Sequence, residues 1–167
     1  MDPKKIYKFC PLCGQKMIEK KDNPQCSSCG FIFYINPAPG CCAIIENDKQ
    51  QILLVKRKYD PKKGYWDLPG GFIAPGEDLD TSTKRELREE LGINIEVKKV
   101  VGSYPNVYIF QNVAYPTLSI VVVAKIVGGH PHPADDITEY AFFPREQVFQ
   151  QELAFFWIKQ ALEDYLI

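Results

Sequence analysis

The stretch from Gly71 to Ile93 constrains this chain of 167 residues more than any other. Asp78 stands where a helix N-cap belongs and Gly92 where a C-cap glycine belongs, so the pattern predicts a helix from Asp78 to Leu91. Thr83, Leu87 and Leu91 recur every four residues and form its inward stripe. Glu86, Glu89 and Glu90 fall at i, i+3 and i+4, so they share one face. Three like charges that close repel one another, and a hard divalent cation with oxygen ligands is the usual remedy. Magnesium typically takes one or two carboxylates and leaves its other positions to water and substrate phosphates. Pro69-Gly70-Gly71, just ahead of the helix, lets backbone carbonyls approach an ion or a phosphate closely. Glu77 and Arg85 are spaced to pair and pin that loop, since arginine offers a rigid fork to a carboxylate. Glycine loop, pinned hinge and carboxylate helix together read as a metal–diphosphate site.

Around this segment the pattern alternates strands with two main helices. Strand candidates are Cys41–Ile45, Gln51–Lys56, Trp66–Leu68, Ile95–Gly102, Asn106–Gln111, Leu118–Val127 and Ala141–Phe143. Asn47-Asp48-Lys49 reads as a hairpin turn, and Leu153–Leu166 as a closing helix. Mixed strands broken by helices suggest a sheet sandwiched between helical layers, an α/β architecture. Pro37-Ala38-Pro39-Gly40 is a natural boundary, dividing residues 1–36 from residues 37–167.

The first 36 residues carry two C-x-x-C-G knuckles, Cys10/Cys13 with Gly14 and Cys26/Cys29 with Gly30. Redox chemistry needs only one such pair, whereas four thiolates suit a closed tetrahedral structural zinc. So short a segment cannot fold on apolar burial alone, and bound Zn2+ would supply its stability. Lys4, Lys5, Lys8, Lys16, Lys20 and Lys21 lie here with few aromatics arranged for base stacking, which favours a structural or dimerising role. The adjacent Cys41 and Cys42 read as small buried strand residues.

The residues from Gly71 to Ile93 resemble the Nudix box, G-x5-E-x7-R-E-U-x-E-E-x-G-U with U aliphatic. Gly71, Glu77, Arg85, Glu86, Leu87, Glu89, Glu90, Gly92 and Ile93 fill every defined position. The resemblance implies a Nudix-like α/β/α sandwich preceded by a small zinc ribbon. It also implies a hydrolase of a diphosphate linkage in a small nucleotide substrate, with Mg2+ or Mn2+ as catalytic metal. Glu86 and Glu90 would hold that metal, with Glu89 as ligand or hydrogen-bonding partner and a carbonyl of Gly70 or Gly71 completing the set. In the family the general base often comes from outside the box. The Asp135–Glu139 stretch is its candidate region, with Glu139 first and Asp136 second. A zinc ribbon followed by F-x-x-N-P and the box is similar to the branch holding NADH diphosphatases and enzymes of ADP-ribose or FAD. Where the NADH enzymes carry S-Q-P-W-P-F-P, this chain has Ser103-Tyr104-Pro105-Asn106. Asn106 replaces the tryptophan, which favours ADP-ribose or FAD-like substrates over NADH.

Tyr104, Tyr108 and Trp66 are candidates to stack on a base or flavin ring, with Phe110 closer to an ordinary core aromatic. Lys56, Arg57 and Lys58 could reach phosphates. A net charge of -1 argues against a general nucleic-acid partner. Two alternatives remain: an RNA cap-removing enzyme whose ribbon holds RNA, and a non-catalytic nucleotide sensor. No apolar run reaches the roughly 18–20 residues of a membrane span, so no membrane partner is expected. Without a secretory pattern at Met1-Asp2-Pro3 the expectation is a cytoplasmic protein. A homodimer is a habit of the resembled family.

Overall fold

In the computed structural model, which describes residues 1–20 and 23–167, apolar strands at the centre bury alternate residues toward two helical layers. Lys21 lies outside the described residues. Two short strands come first, β1 (Met17–Ile18) and β2 (Gln25–Cys26), followed by β3 (Ala38–Ile45), β4 (Gln51–Arg57), β5 (Trp66–Asp67) and β6 (Gly70–Phe72). Helix α1 (Leu79–Leu91) leads into β7 (Asn94–Phe110), β8 (Val113–Gly128) and β9 (Ile137–Pro144). Helices α2 (Arg145–Val148) and α3 (Phe156–Leu166) close the chain. Two compact units form: Met1–Ala38 with Val107–Thr117, and Pro39–Asn106 with Leu118–Ile167.

In the larger unit, β6-β3-β8-β7 make one sheet and β5-β4-β9 another. Along β3, Cys42 and Ile44 pack with Trp157, Ile158, Ala161 and Leu162 of α3, while Ala43 and Ile45 pack with Leu87 and Leu91 of α1. In β4, Ile52 and Leu54 take the α3 side and Leu53 and Val55 the α1 side. A strand's period of two thus explains its unbroken apolar run, because both faces are covered. The result is an α/β/α sandwich. Each such fully buried aliphatic side chain contributes roughly 1.5–3 kcal/mol of transfer free energy.

Helix α1 begins where the Asp78 carboxylate accepts from the Thr81 N–H at 2.8 Å. It ends at Gly92, whose φ of 67° is left-handed. Two strands expected separately, Ile95–Gly102 and Asn106–Gln111, are one strand, β7. Its place at the sheet edge accounts for Pro105, since an edge residue need not donate to a neighbour. The expected closing helix starts later, at Phe156, because Leu153 is instead bridged to Trp66.

In the smaller unit the two knuckles fold alike. The Cys10 N–H donates to the Gln15 carbonyl and Gly14 donates back to Cys10. Cys26 donates to Phe31, and Gly30 to Cys26. Gly14 and Gly30 both turn with left-handed φ, 74° and 77°. The β7–β8 hairpin ends in a two-residue turn, Gln111-Asn112, with φ of 48° and 63°, the primed geometry that fits the strand twist. Ala114 donates from this tip to the Met1 carbonyl.

Candidate active site

Strand β6 pairs antiparallel with β3, setting Gly70 opposite Cys42 and Gly71 opposite Cys41. Gly70 has a φ of 140°, and a side chain there would put Cβ 2.1 Å from the Cys41 carbonyl oxygen, so glycine is required. At Gly71 a Cβ would fall 2.6 Å from the Glu86 carboxyl carbon. The missing side chain is the space into which Glu86 reaches. The Gly70 N–H donates to Glu90 Oε2 at 2.9 Å, and the Gly71 carbonyl accepts from the Cys41 thiol at 3.6 Å. The glycine loop and the helix carboxylates therefore interlock.

Arg85 holds the hinge. Its Nε and Nη2 donate to the two oxygens of Glu77 at 2.7 and 2.8 Å, a forked pair. Nη2 also donates to the Phe72 carbonyl, and Nη1 to Glu86 and Glu89 at 2.8 and 3.0 Å. Ser82 and the Ala74 N–H donate to Glu77 as well. The Arg85 bonds, helped by Ser82, hold the Glu77 carboxyl down at about 2, well below its ordinary 4.5.

Glu90 lies deeper, 3% exposed. Burial drives its carboxyl well above the ordinary range, and the nearby Asp136 pushes the same way. Burial also raises Glu86, with Arg85 opposing. Arg57, Asp67, Gly70, Glu90 and Asp136 line a small polar cavity here. Asp67 pairs with Arg57 at 2.8 Å; burial lifts it to about 6 even though Arg57 pulls it down. The cavity holds three acids against Arg57, which is paired with Asp67, so its carboxylates outnumber their counter-charge and this donor set fits a divalent cation. Glu86, Glu89, Glu90 and the Gly71 carbonyl are the residues that could hold one.

Asp136 reaches Glu90 because its loop docks on the end of α1. The Ala134 N–H donates to the Glu90 carbonyl at 2.9 Å and the His132 N–H to the Leu91 carbonyl at 3.0 Å. These are helix-end acceptors without partners inside the helix. Lys58 donates from the other side to the Asp136 carbonyl.

The other expected site residues stand as follows. Glu139 is not among the cavity carboxylates: β9 sets it opposite Lys56, and the two pair at 2.6 Å on the surface. Asp136, the second choice, is the acid at the cavity. Tyr104 is 7% exposed in the α3-side core, stacked on Trp157, with its hydroxyl donating to Asp164 at 2.7 Å. Trp66 is a core residue too, edge-on to Phe143 at 4.9 Å. Tyr108 is half-buried in the hairpin segment that belongs to the smaller unit. Of the basic run, Lys56 and Lys58 are engaged with Glu139 and the Asp135 carbonyl, and Arg57 alone of the three lines the cavity. Sequence reasoning missed Asp67, for which a carboxylate beside a core tryptophan was the only signal.

A family model, the NUDIX domain, matches residues 36–165. The chain belongs to the Nudix family. An ADP-ribose pyrophosphatase of Methanocaldococcus jannaschii is 35% identical over 130 residues, covering 78% of this chain and 72% of that protein. An NAD-capped RNA hydrolase NudC of Haemophilus influenzae is 34% identical over 105 residues, 60% of this chain. The match spans only 39% of that relative's length. Among solved structures, a NUDIX hydrolase from Nitrosomonas europaea superposes with a TM-score of 0.79 at 26% identity, covering 95% of this chain and 90% of that one. Among the described residues no helix is long and apolar enough to cross a membrane.

Outside the Nudix domain's carboxylates, the Sγ atoms of Cys10, Cys13, Cys26 and Cys29 all lie within 4.8 Å of one another. Cys10–Cys29 and Cys13–Cys26 are 3.7 and 3.6 Å apart. A tetrahedron with Zn–S bonds of about 2.3 Å has edges of about 3.8 Å, so the thiols stand near zinc spacing. The Cys29 N–H donates to Cys26 Sγ at 3.5 Å, a bond that favours the thiolate of Cys26.

The Glu77–Arg85 fork makes a pH prediction. A carboxyl held at about 2 when folded and near 4.5 when unfolded stabilises the protein fully above 4.5, and loses that effect as pH falls toward 2. In urea titrations, Glu77→Gln is expected to be less stable than wild type above about pH 5. The gap should close as the pH approaches 2. A constant gap across that range would assign the loss to packing instead.

Proposed function

We propose that this Nudix domain hydrolyses the diphosphate linkage of a nucleoside diphosphate derivative, ADP-ribose in the first place, in a magnesium-dependent reaction. The observation that carries the reading is the buried Glu90 carboxylate, set beside Glu86 and Asp136 under a glycine loop and short of positive charge. Glu86 and Glu90 are the proposed Mg2+ ligands, with Glu89 and the Gly71 carbonyl beside them. Bound there, the metal would polarise the phosphoryl oxygens and acidify the attacking water.

The protein's own groups do the rest. Asp136 takes the proton from water as the water oxygen bonds to phosphorus. The P–O bond to the bridging oxygen breaks, and the products are AMP and ribose 5-phosphate. Arg57, the cation of the cavity, offsets charge that builds on the phosphoryl oxygens. Arg85 takes no part in chemistry and keeps Glu86 and Glu89 aimed at the loop. ADP-ribose stands first because of the archaeal relative's name and its 35% identity. Asn106, where NADH enzymes carry tryptophan, keeps NADH lower. NAD-capped RNA is the second reading, supported by the name of the Haemophilus relative. The four cysteines are proposed to hold one structural Zn2+.

Two measurements test these assignments. With Mg2+ and a panel of ADP-ribose, FAD, NADH and a short NAD-capped RNA, wild type is expected to turn over ADP-ribose fastest. Glu90→Gln and Asp136→Asn should each lose on the order of 100-fold or more. Turnover unchanged in Glu90→Gln would refute the site. Metal analysis should find about one zinc per chain, lost in Cys26→Ser. A zinc-free wild type would refute the second assignment.

A further inference from the structure

The segment from Gly128 to Asp136 is built around one glycine of the box. A Cβ on Gly92 would lie 2.0 Å from Cε1 of the His132 ring, so the ring sits directly on the glycine's Cα face. Gly129 also comes close: a Cβ there would stand 2.6 Å from the Gly92 carbonyl oxygen. The His132 N–H then bonds the Leu91 carbonyl, and the Ala134 N–H bonds the Glu90 carbonyl. Three residues on, the Ile137 N–H returns to the Ala134 carbonyl, with Asp135 left-handed at a φ of 49°. That tight turn sets Asp136 in the wall of the cavity that Glu90 also lines.

Glycine at a helix C-cap is explained by its left-handed φ, but that accounts only for the backbone. The space above Gly92 is used as well, and a side chain fills it. We propose that His132, seated on Gly92, is a positioning residue: it locks the loop onto the end of α1 and so fixes Asp136 against the metal-binding carboxylates. The inference rests on the reading of Asp136 as general base. His132 itself touches no reacting atom in this account. Its contribution is the ring that fills the seat, steadied by the contact of Nδ1 with the His130 carbonyl at 3.2 Å, and a phenyl ring keeps the filling though not that contact. Because the same turn of α1 carries Glu90, base and metal ligand are held by one backbone element. A base displaced by about 1 Å can cost on the order of 100-fold in rate, so a loosened loop shows in turnover before it shows in folding.

The test uses the full chain as wild type, His132→Ala, His132→Phe and Asp136→Asn. Amide hydrogen exchange reads the dock without any substrate. In His132→Ala, exchange of residues 130–137 is expected to speed up by about tenfold or more while α1 stays protected. His132→Phe should restore the protection. With the best substrate of the panel, His132→Ala should lose about tenfold in kcat with KM unchanged, and His132→Phe should recover it. Unchanged exchange in His132→Ala overturns the inference whatever the activity. So does full kcat in His132→Ala beside an inactive Asp136→Asn, a result that leaves the hydrolase reading intact. A fully active Asp136→Asn removes the base assignment and this inference with it.

Discussion

One arginine among too many carboxylates governs this structure. Arg85 satisfies Glu77 with a fork and reaches Glu86 and Glu89 with its remaining nitrogen, so three acids are held by one cation. Glu90 accepts from an amide of the glycine loop, and Asp136 lines the same cavity. Burying a carboxylate without a full counter-charge costs several kcal/mol unless it protonates or gains a cation. The sandwich tolerates this because the apolar face of α1, through Leu87 and Leu91, is anchored in a core filled from both β3 and β4. The destabilised carboxylate and the stable helix are parts of one element, a pairing that suits the proposed divalent-cation site.

How far the residues alone reveal this depends on the range of the interaction. Helical spacing dictates that Glu86, Glu89 and Glu90 share a face, and cap chemistry marks Asp78 and Gly92, because both are decided within one or two turns. The unbroken apolar runs of β3 and β4 imply cover on both faces for the same local reason. Longer-range facts were hidden. Glu139 outranks Asp136 as a base only if the chain between them is a loop. It is a strand that begins at Ile137, and strand pairing commits Glu139 to Lys56. The left-handed turn at Asp135 leaves Asp136 just outside that ladder. Tyr104 looked like a stacking platform, but its partner Asp164 is 60 residues away on α3 and draws the ring into the core. The expected strands Ile95–Gly102 and Asn106–Gln111 are continuous through Pro105, and only the strand order shows that this proline sits on an edge.

The thiol cluster obeys a different economy of size. A segment of some three dozen residues has too little apolar area to fix its own conformation. Here repeated local chemistry replaces a core: two knuckles with matching N–H bonds and matching left-handed glycines bring four sulfurs within 4.8 Å of one another. Its two C-x-x-C-G motifs were legible because every determinant lies within five residues of the cysteines.

The central claim is that Glu90 and its neighbours form a divalent-cation site, and direct Mn2+ titration followed by electron paramagnetic resonance tests it without a substrate. Wild type is predicted to bind Mn2+ saturably and to lose it competitively to Mg2+. Glu90→Gln should bind at least about tenfold more weakly, since a carboxylate ligand to a hard cation has been neutralised. Equal Mn2+ affinity in the two proteins, or none in wild type, would contradict the account.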